Sequence, residues 1–391
     1  MRFRRSLSLV LLACSAFAAA CSTSGGAGDA ADPKTPPPGS DSGPCPSNVV
    51  FQADWFPEVE QGGTYQLIGA GGTIDAERLT YSGPLRNRYK GSHGVQTVEI
   101  RAGGAAIDNK SVIDAMADDP DIDFGFVSTD DVIVSGGTEK SVMAVTSTLD
   151  ISPQMLMWSP ARYTITEFSD LAKTRAPVLH FPGLTYIDYL VDQGYVTADQ
   201  ADATYNGSPD RWLASNGDVI QQGFATNEVY TYTELLEDWR HPVDFFLFHW
   251  MGYENYPSAI AVRTAATADP QMRDCLTAFV PVMQQAWVDF LAEPDATADE
   301  LIDINARYGT FFQLSKGLND RALEMFSEFS LATNGKDTTY GNFDVSRMNR
   351  LFDIVKEVYA ERGTPLPDTL RPADAYTNDF IDPAIGLAAA G

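Results

Sequence analysis

Basic residues are scarce in this chain: 27 lysines and arginines stand against 53 aspartates and glutamates in 391 residues, a formal net charge of −26. Such a surface lacks the basic footprint that nucleic acid requires, which excludes nucleic-acid binding as a function class. Histidine is rarer still. The four, His93, His180, His241 and His249, show no ligand-type spacing, so no metal centre is expected. There is no Gly-x-Ser-x-Gly and nothing that suggests a Ser/His/Asp arrangement. Gly69-Ala70-Gly71-Gly72 follows no strand and lacks the lysine of a phosphate loop. No catalytic residue and no cofactor are expected. Past the N-terminus, no run approaches the ~20 uninterrupted apolar residues of a spanning helix.

What is present begins with a compartment signal. Arg2, Arg4 and Arg5 precede the apolar run Leu7 to Ala20, a charged region and apolar core of signal-peptide length. Ala18-Ala19-Ala20-Cys21 resembles the lipobox of bacterial lipoproteins, so residues 1–20 read as a signal peptide and Cys21 as the acylated first residue. Cys14 also fits that pattern but leaves an apolar core of only about eight residues. Residues 21–47, rich in Gly, Ser, Asp, Ala and Pro, read as a flexible tether. The expected location is the extracytoplasmic face of the cell membrane, lipid-anchored. Three of the 27 basic residues lie in residues 1–20, so processing takes the charge to about −29. Cys45 and Cys275 would then be the remaining thiols, and in an oxidising compartment their pairing is the simplest expectation.

The folded part alternates strand and helix patterns. Val49-Val50-Phe51 is a buried strand by its β-branched, apolar run, stopped by Asp54-Trp55-Phe56-Pro57 and passing through Gly62-Gly63 into a helix near Tyr65. Strands follow at 98–102, 123–127 and 141–148, with Ser111 capping a helix between the first two. A second unit carries strands at 176–181 and 218–225 and a helix opened by Pro182-Gly183. Residues 244–252 and 259–263 read as strands returning to the first unit. From Asp269-Pro270 the chain is mainly helical, with apolar stripes at helical spacing through Phe290 and again from Met348 to Tyr359. The pattern implies a mainly parallel α/β sheet with helices on both faces. Roughly 340 residues exceed one comfortable core, so two domains are expected.

Several segments in this order carry a resemblance. They are Asp54-Trp55-Phe56-Pro57 with Gly62-Gly63 and Tyr65, Asp123-Phe124-Gly125 leading to Asp130-Asp131, Ser152-Pro153-Gln154, Gly223-Phe224-Ala225-Thr226-Asn227-Glu228, and the tail Tyr376 to Asp382. The chain resembles a solute-binding lipoprotein of an ABC importer, in the group of nitrate, sulfonate and thiamine-pyrimidine-precursor binders, closest to the last. The resemblance implies a two-lobed periplasmic-binding-protein-like fold (type II), lobes joined by two crossing segments, residues 48–150 and 258–391 in one and 151–257 in the other. It implies ligand-binding roles for Asp54, Trp55, Glu60, Tyr65, Ser128, Thr129 and Asp130 on the first lobe, and for Ser152 near the crossover. Gly183, Leu184, Thr185, Asn227, Glu228 and Tyr230 would close from the second lobe. Its partners would be a small-molecule ligand and an ABC permease with its ATPase, the protein acting as a monomer.

Residues 73–95 depart from that family's pattern and stay open between a flap over the cleft and a surface loop. The candidate wall offers carboxylates and aromatics but no arginine, which favours a flat nitrogen heterocycle such as a thiamine precursor or flavin. A sulfonate- or nitrate-type anion binder is the alternative within the fold. A thiamine-pyrimidine synthase-like enzyme is the alternative outside it, but the cysteine-rich iron motif that resemblance would import is missing.

Overall fold

A computed structural model describes residues 43–388, so the signal, Cys21 and most of the tether lie outside the described residues. The chain first builds one lobe. β1 (Asn48–Gln52) runs into α1 (Gly62–Tyr65), then β2 (Thr73–Asp75), β3 (Thr80–Pro84), β4 (Thr97–Arg101), α2 (Val112–Asp118), β5 (Phe124–Val127), α3 (Thr129–Ser135) and β6 (Val142–Thr146). Val49, Val50 and Phe51 are buried on both faces because β4 and β5 flank β1 in parallel and helices cover the sheet. The Ser111 hydroxyl accepts the Asp114 N–H at 3.0 Å and so caps α2.

A second lobe follows: β7 (Gln154–Trp158), α4 (Asp170–Thr174), β8 (Val178–Leu179), α5 (Thr185–Asp192), β9 (Ala201–Asp202), α6 (Asp210–Ser215), β10 (Ile220–Phe224), α7 (Glu228–Tyr230) and β11 (Asp244–Leu247). The chain then re-enters the first lobe as β12 (Ala259–Arg263) and finishes in α8 (Pro270–Ala292), α9 (Asp295–Tyr308), α10 (Lys316–Glu328) and α11 (Val345–Glu361). Strand order is β2-β3-β4-β1-β5-β12-β6 in a seven-stranded sheet and β11-β7-β10-β8-β9 in a five-stranded one.

Three expectations are corrected here. The sheets are mixed, not mainly parallel: β12 enters from the far lobe and slots antiparallel between β5 and β6, β3 runs antiparallel to β2 and β4, and β7 lies antiparallel between β10 and β11. β11 does not return to the first lobe; it pairs antiparallel with β7, and Phe246 packs on Trp158 and Phe168 at ring distances of 4.9 and 4.8 Å. Residues 73–84 of the 73–95 stretch are neither flap nor loop. β2 and β3 form a hairpin that extends the sheet beyond β4, with Tyr81 buried, stacked on Tyr65 and bonded to Glu300 of α9.

Two features fix the frame. Residues 147–153 and 252–258 cross between the lobes, and buried Arg347 of α11 ties both. Its guanidinium donates to the carbonyl of Asp150 (2.6 Å) and its carboxylate (3.1 Å), and to the carbonyls of Glu254 (2.6 Å) and Asn255 (2.7 Å). It also lies 3.7 Å from the ring centroid of Tyr256. Second, α1 rests directly on α8. A Cβ at Gly62 would stand 2.2 Å from the Phe290 ring, and one at Gly63 2.2 Å from the Trp287 ring, so this Gly-Gly pair permits the approach. A disulfide joins Cys45, just ahead of β1, to Cys275 on the same helix.

Gly63→Ala is expected to destabilise by about 1–3 kcal/mol through overpacking against Trp287, opposite in sign to the helix-propensity gain of about 1 kcal/mol. Chemical denaturation decides the sign. Arg347→Lys keeps the charge but loses the planar fork, and a stability loss of about 2–4 kcal/mol is expected in the same assay.

Candidate functional site

The site grows from the end of β1. The Gln52 amide donates to the carbonyls of Ala53 (3.0 Å) and Ala102 (2.9 Å), bending the chain outward beside the end of β4. There Gly104, at φ +57°, lets the Trp55 ring lie where a Cβ would stand 2.4 Å from it. Trp55 and Phe56 form an aromatic cluster with Phe311 and Phe312 of the α9–α10 connection, Phe56 stacking on Phe312 at 5.7 Å. The outer edge of Trp55 reaches the second lobe, 3.6 Å from a Cβ position at Gly207.

Around this tryptophan the carboxylates collect. Asp54 accepts from the Gln61 amide (2.8 Å) and from the Ser258 hydroxyl of the second crossing segment (3.1 Å); burial raises its pKa. Glu58 is raised well above the ordinary value, by burial first and then by the negative charges of Glu60, Asp54 and Glu228. Glu60 is pushed up to about 7 by burial, with the nearby Thr226 hydroxyl opposing. Glu228 approaches from the second lobe. It accepts from the Phe224 N–H (2.8 Å) and the Tyr205 hydroxyl (3.4 Å), and burial with the charge of Glu60 takes it to about 7. Among the described residues, no Arg, Lys or His forms a hydrogen bond or ion pair with any of these four acids.

Of the residues singled out in the sequence, Asp54, Trp55, Glu60, Tyr65 and Glu228 come together here. Tyr65 is fully buried, with its hydroxyl unpartnered and in the field of Glu58 and Asp54. Asn227 stands just before α7 and accepts from the Thr231 hydroxyl just after it (3.2 Å), while the Tyr230 hydroxyl reaches across to Gly317 at the start of α10.

The others are placed differently. Asp130 is bonded by Ser128 and by Tyr253 (2.7 Å), and Asn255 donates to Ser128 (2.8 Å), so these four residues fasten α3 to the second crossing segment. Thr129 likewise accepts the Tyr256 N–H (2.9 Å). Ser152 accepts from the Gln154 N–H (3.3 Å) within the first crossing segment. Gly183 and Leu184 give their carbonyls to Arg362 of the first lobe and line a separate cavity of about 450 Å³ with His180 and Asp188. Thr185, buried at the start of α5, stands beside them.

Glu58, Tyr205, Phe311 and Phe312 were not singled out in the sequence; Thr226 stood in the Thr226-Asn227-Glu228 segment of the resemblance but was given no role of its own. Glu58 follows the Asp-Trp-Phe-Pro segment directly and was legible there. The others sit in irregular or late segments with no local signal. No three His, Cys, Asp or Glu side chains gather as metal ligands among the described residues.

Two α/β lobes, two crossings and a site walled from both sides define a two-lobed binding-protein fold. Solved structures with this fold include the ligand-binding component of an ABC-type import system from Staphylococcus aureus with zinc bound, at 11% identity and TM-score 0.51, covering 85% of this chain and 97% of that one. The alkanesulfonate-binding protein of Xanthomonas axonopodis pv. citri bound to MOPS is similar at 10% identity and TM-score 0.51, covering 85% and 99%. A Bordetella bronchiseptica RB50 protein matches at 12% identity and TM-score 0.51, covering 86% and 96%. No curated protein matches the chain. Residues 98–297 match the NMT1/THI5-like family model, and the chain belongs to that family.

The raised acids predict a pH response. Between about pH 4.5 and 7, Glu60 and Glu228 keep protons in the folded protein that the unfolded chain has lost. Their contribution is therefore full below the unfolded carboxylate range and is lost as pH rises through about 7. Burial lowers the pKa of His249, which opposes it. The melting temperature of the ligand-free protein should fall from pH 5 to pH 8, and the Glu60→Gln/Glu228→Gln double variant should flatten that slope.

Proposed function

We propose that this protein is the substrate-binding component of an ABC importer, holding a small heteroaromatic ligand of the thiamine-precursor or flavin class between its lobes. Residues 48–150 and 258–391 form one lobe in this reading and 151–257 the other, and an acylated Cys21 holds the protein at the outer face of the membrane. The reading rests on one observation: Asp54, Trp55, Glu58 and Glu60 from one lobe and Tyr205, Thr226 and Glu228 from the other converge on one place. A ligand touching both walls favours the closed state by its differential affinity, and a permease recognises that state. Asp54, placed between Gln61 and Ser258, positions the first wall against the crossing segment. Trp55 supplies the stacking face, and Glu228 closes against it.

Nothing in this scheme requires turnover; the chemistry is capture and release. The acids weigh against a sulfonate or nitrate, which would bring a second negative charge into a desolvated acidic wall. Thiamine precursors and riboflavin are the compounds to screen first by thermal shift and small-angle scattering. A ligand at 100 times its dissociation constant raises stability by about 2.7 kcal/mol, and closure should reduce the radius of gyration. Trp55→Ala should weaken the best ligand roughly tenfold. Undiminished affinity in that variant would remove the stacking argument.

A further inference from the structure

Among the described residues, acidic side chains mark three places inside the fold, and two of them are satisfied. At Asp130 the surrounding donors are in place: Ser128, Tyr253 and Asn255 all bond within the cluster. At Asp150 a buried guanidinium is in place. The wall made by Asp54, Glu58, Glu60 and Glu228 has neither a cation nor a full set of donors. Two groups at this wall are themselves buried without partners: the Tyr65 hydroxyl, in the field of Glu58 and Asp54, and the Gln61 carbonyl oxygen, whose own amide holds Asp54. Buried polar groups left this way cost free energy until something pairs them.

The missing partner has a definable chemistry. It must place positive charge among acids that come from both lobes, and it must donate hydrogen bonds, since an orphan carbonyl oxygen and carboxylates are acceptors. A metal ion is disfavoured, because no three ligating side chains gather among the described residues. Aromatic surface lies at the same place: Trp55 is half-buried and Phe311, against it at 6.4 Å, is 64% exposed. Carboxylates beside aromatic faces suit an organic cation, which gains from both.

We propose that the ligand is bound as an organic cation, an amine or a positively charged nitrogen heterocycle, held by Glu58, Glu60 and Glu228 beside Trp55. The positive charge is also the closing agent. Without it, Glu58 and Glu60 face Glu228 across the cleft as like charges in a desolvated place, and closure is opposed. With it, the same three acids become attractive from both sides, and the lobes gain by meeting. The inference rests on the binding-protein reading and narrows it.

The test separates the two. The mature protein is screened at pH 7.5 by thermal shift and small-angle scattering with thiamine and spermidine as cations, riboflavin as a neutral heterocycle, and methanesulfonate and nitrate as anions. The expected result is stabilisation and compaction with a cation and none with the anions. Glu60→Gln and Glu228→Gln, nearly isosteric, should each weaken that cation by about tenfold or more; circular dichroism verifies that they fold. Glu58→Gln is the fallback should either fail. Binding of riboflavin, methanesulfonate or nitrate with no response to either cation would overturn the charge assignment and leave the binding-protein reading standing. No response to any compound would remove both.

Discussion

The fold depends on one guanidinium. Arg347 gathers backbone carbonyls from both crossing segments onto α11, so the two strands of chain that could act as independent linkers are held as one hinge. The arrangement has a cost: a charge is buried where only Asp150 answers it as a carboxylate. The carbonyls of residues 150, 254 and 255 and the Tyr256 ring offset this by directing oxygen lone pairs and π density at it. Tyr253 and Asn255, a few residues along the same segment, then fasten α3 through Asp130 and Ser128. Hinge and first-lobe wall therefore share a hydrogen-bonded network, and a displacement of the crossing segment is felt at the end of β5.

The acidic wall gains its character from that frame. Asp54 is tied to Ser258 of the second crossing segment, so it cannot turn away from the cleft without losing a bond to the hinge. α1, pressed against Phe290 and Trp287 through two glycines, puts the chain that carries Glu58 and Glu60 close to β1 instead of out in solvent. Protonation and ligand binding compete for the same acids in this arrangement. Proton uptake by Glu60 and Glu228 relieves the same repulsion that a cation would.

Much of this was legible from residues alone, for identifiable reasons. β1, β5 and β12 announce themselves because parallel and central strands buried on both faces must be continuously apolar. The Gly62-Gly63 pair, Asp54-Trp55 and Glu228 stood out because each combines a turn with a charged or aromatic side chain. Strand direction was not legible: whether β12 runs parallel or antiparallel depends on which lobe the chain comes from, a property of the path and not of Ala259–Arg263. β11 was misassigned because its aromatics suit either sheet, and only the packing of Phe246 on Trp158 decides. The hairpin at 73–84 was obscured by Gly69, Gly71 and Gly72 just ahead of it and by Gly83 within it, which suggest a loop until Tyr81 is seen between Tyr65 and α9. Tyr205 lies in an irregular stretch where nothing in the local pattern marks it. Ser128, Thr129 and Asp130 sit where the fold builds sites, yet their polar atoms serve the hinge, and only long-range partners reveal that.

The disulfide has a mechanical meaning. Cys45 stands immediately before β1 and is joined to α8, so tension applied to the chain ahead of it passes covalently into the first lobe's long helix. It bypasses β1, the Asp54 wall and both crossing segments. The whole second lobe lies within the 230-residue stretch between the two cysteines and carries none of that load. One lobe thus takes any pull on the chain ahead of Cys45, and the angle between the lobes lies outside that path.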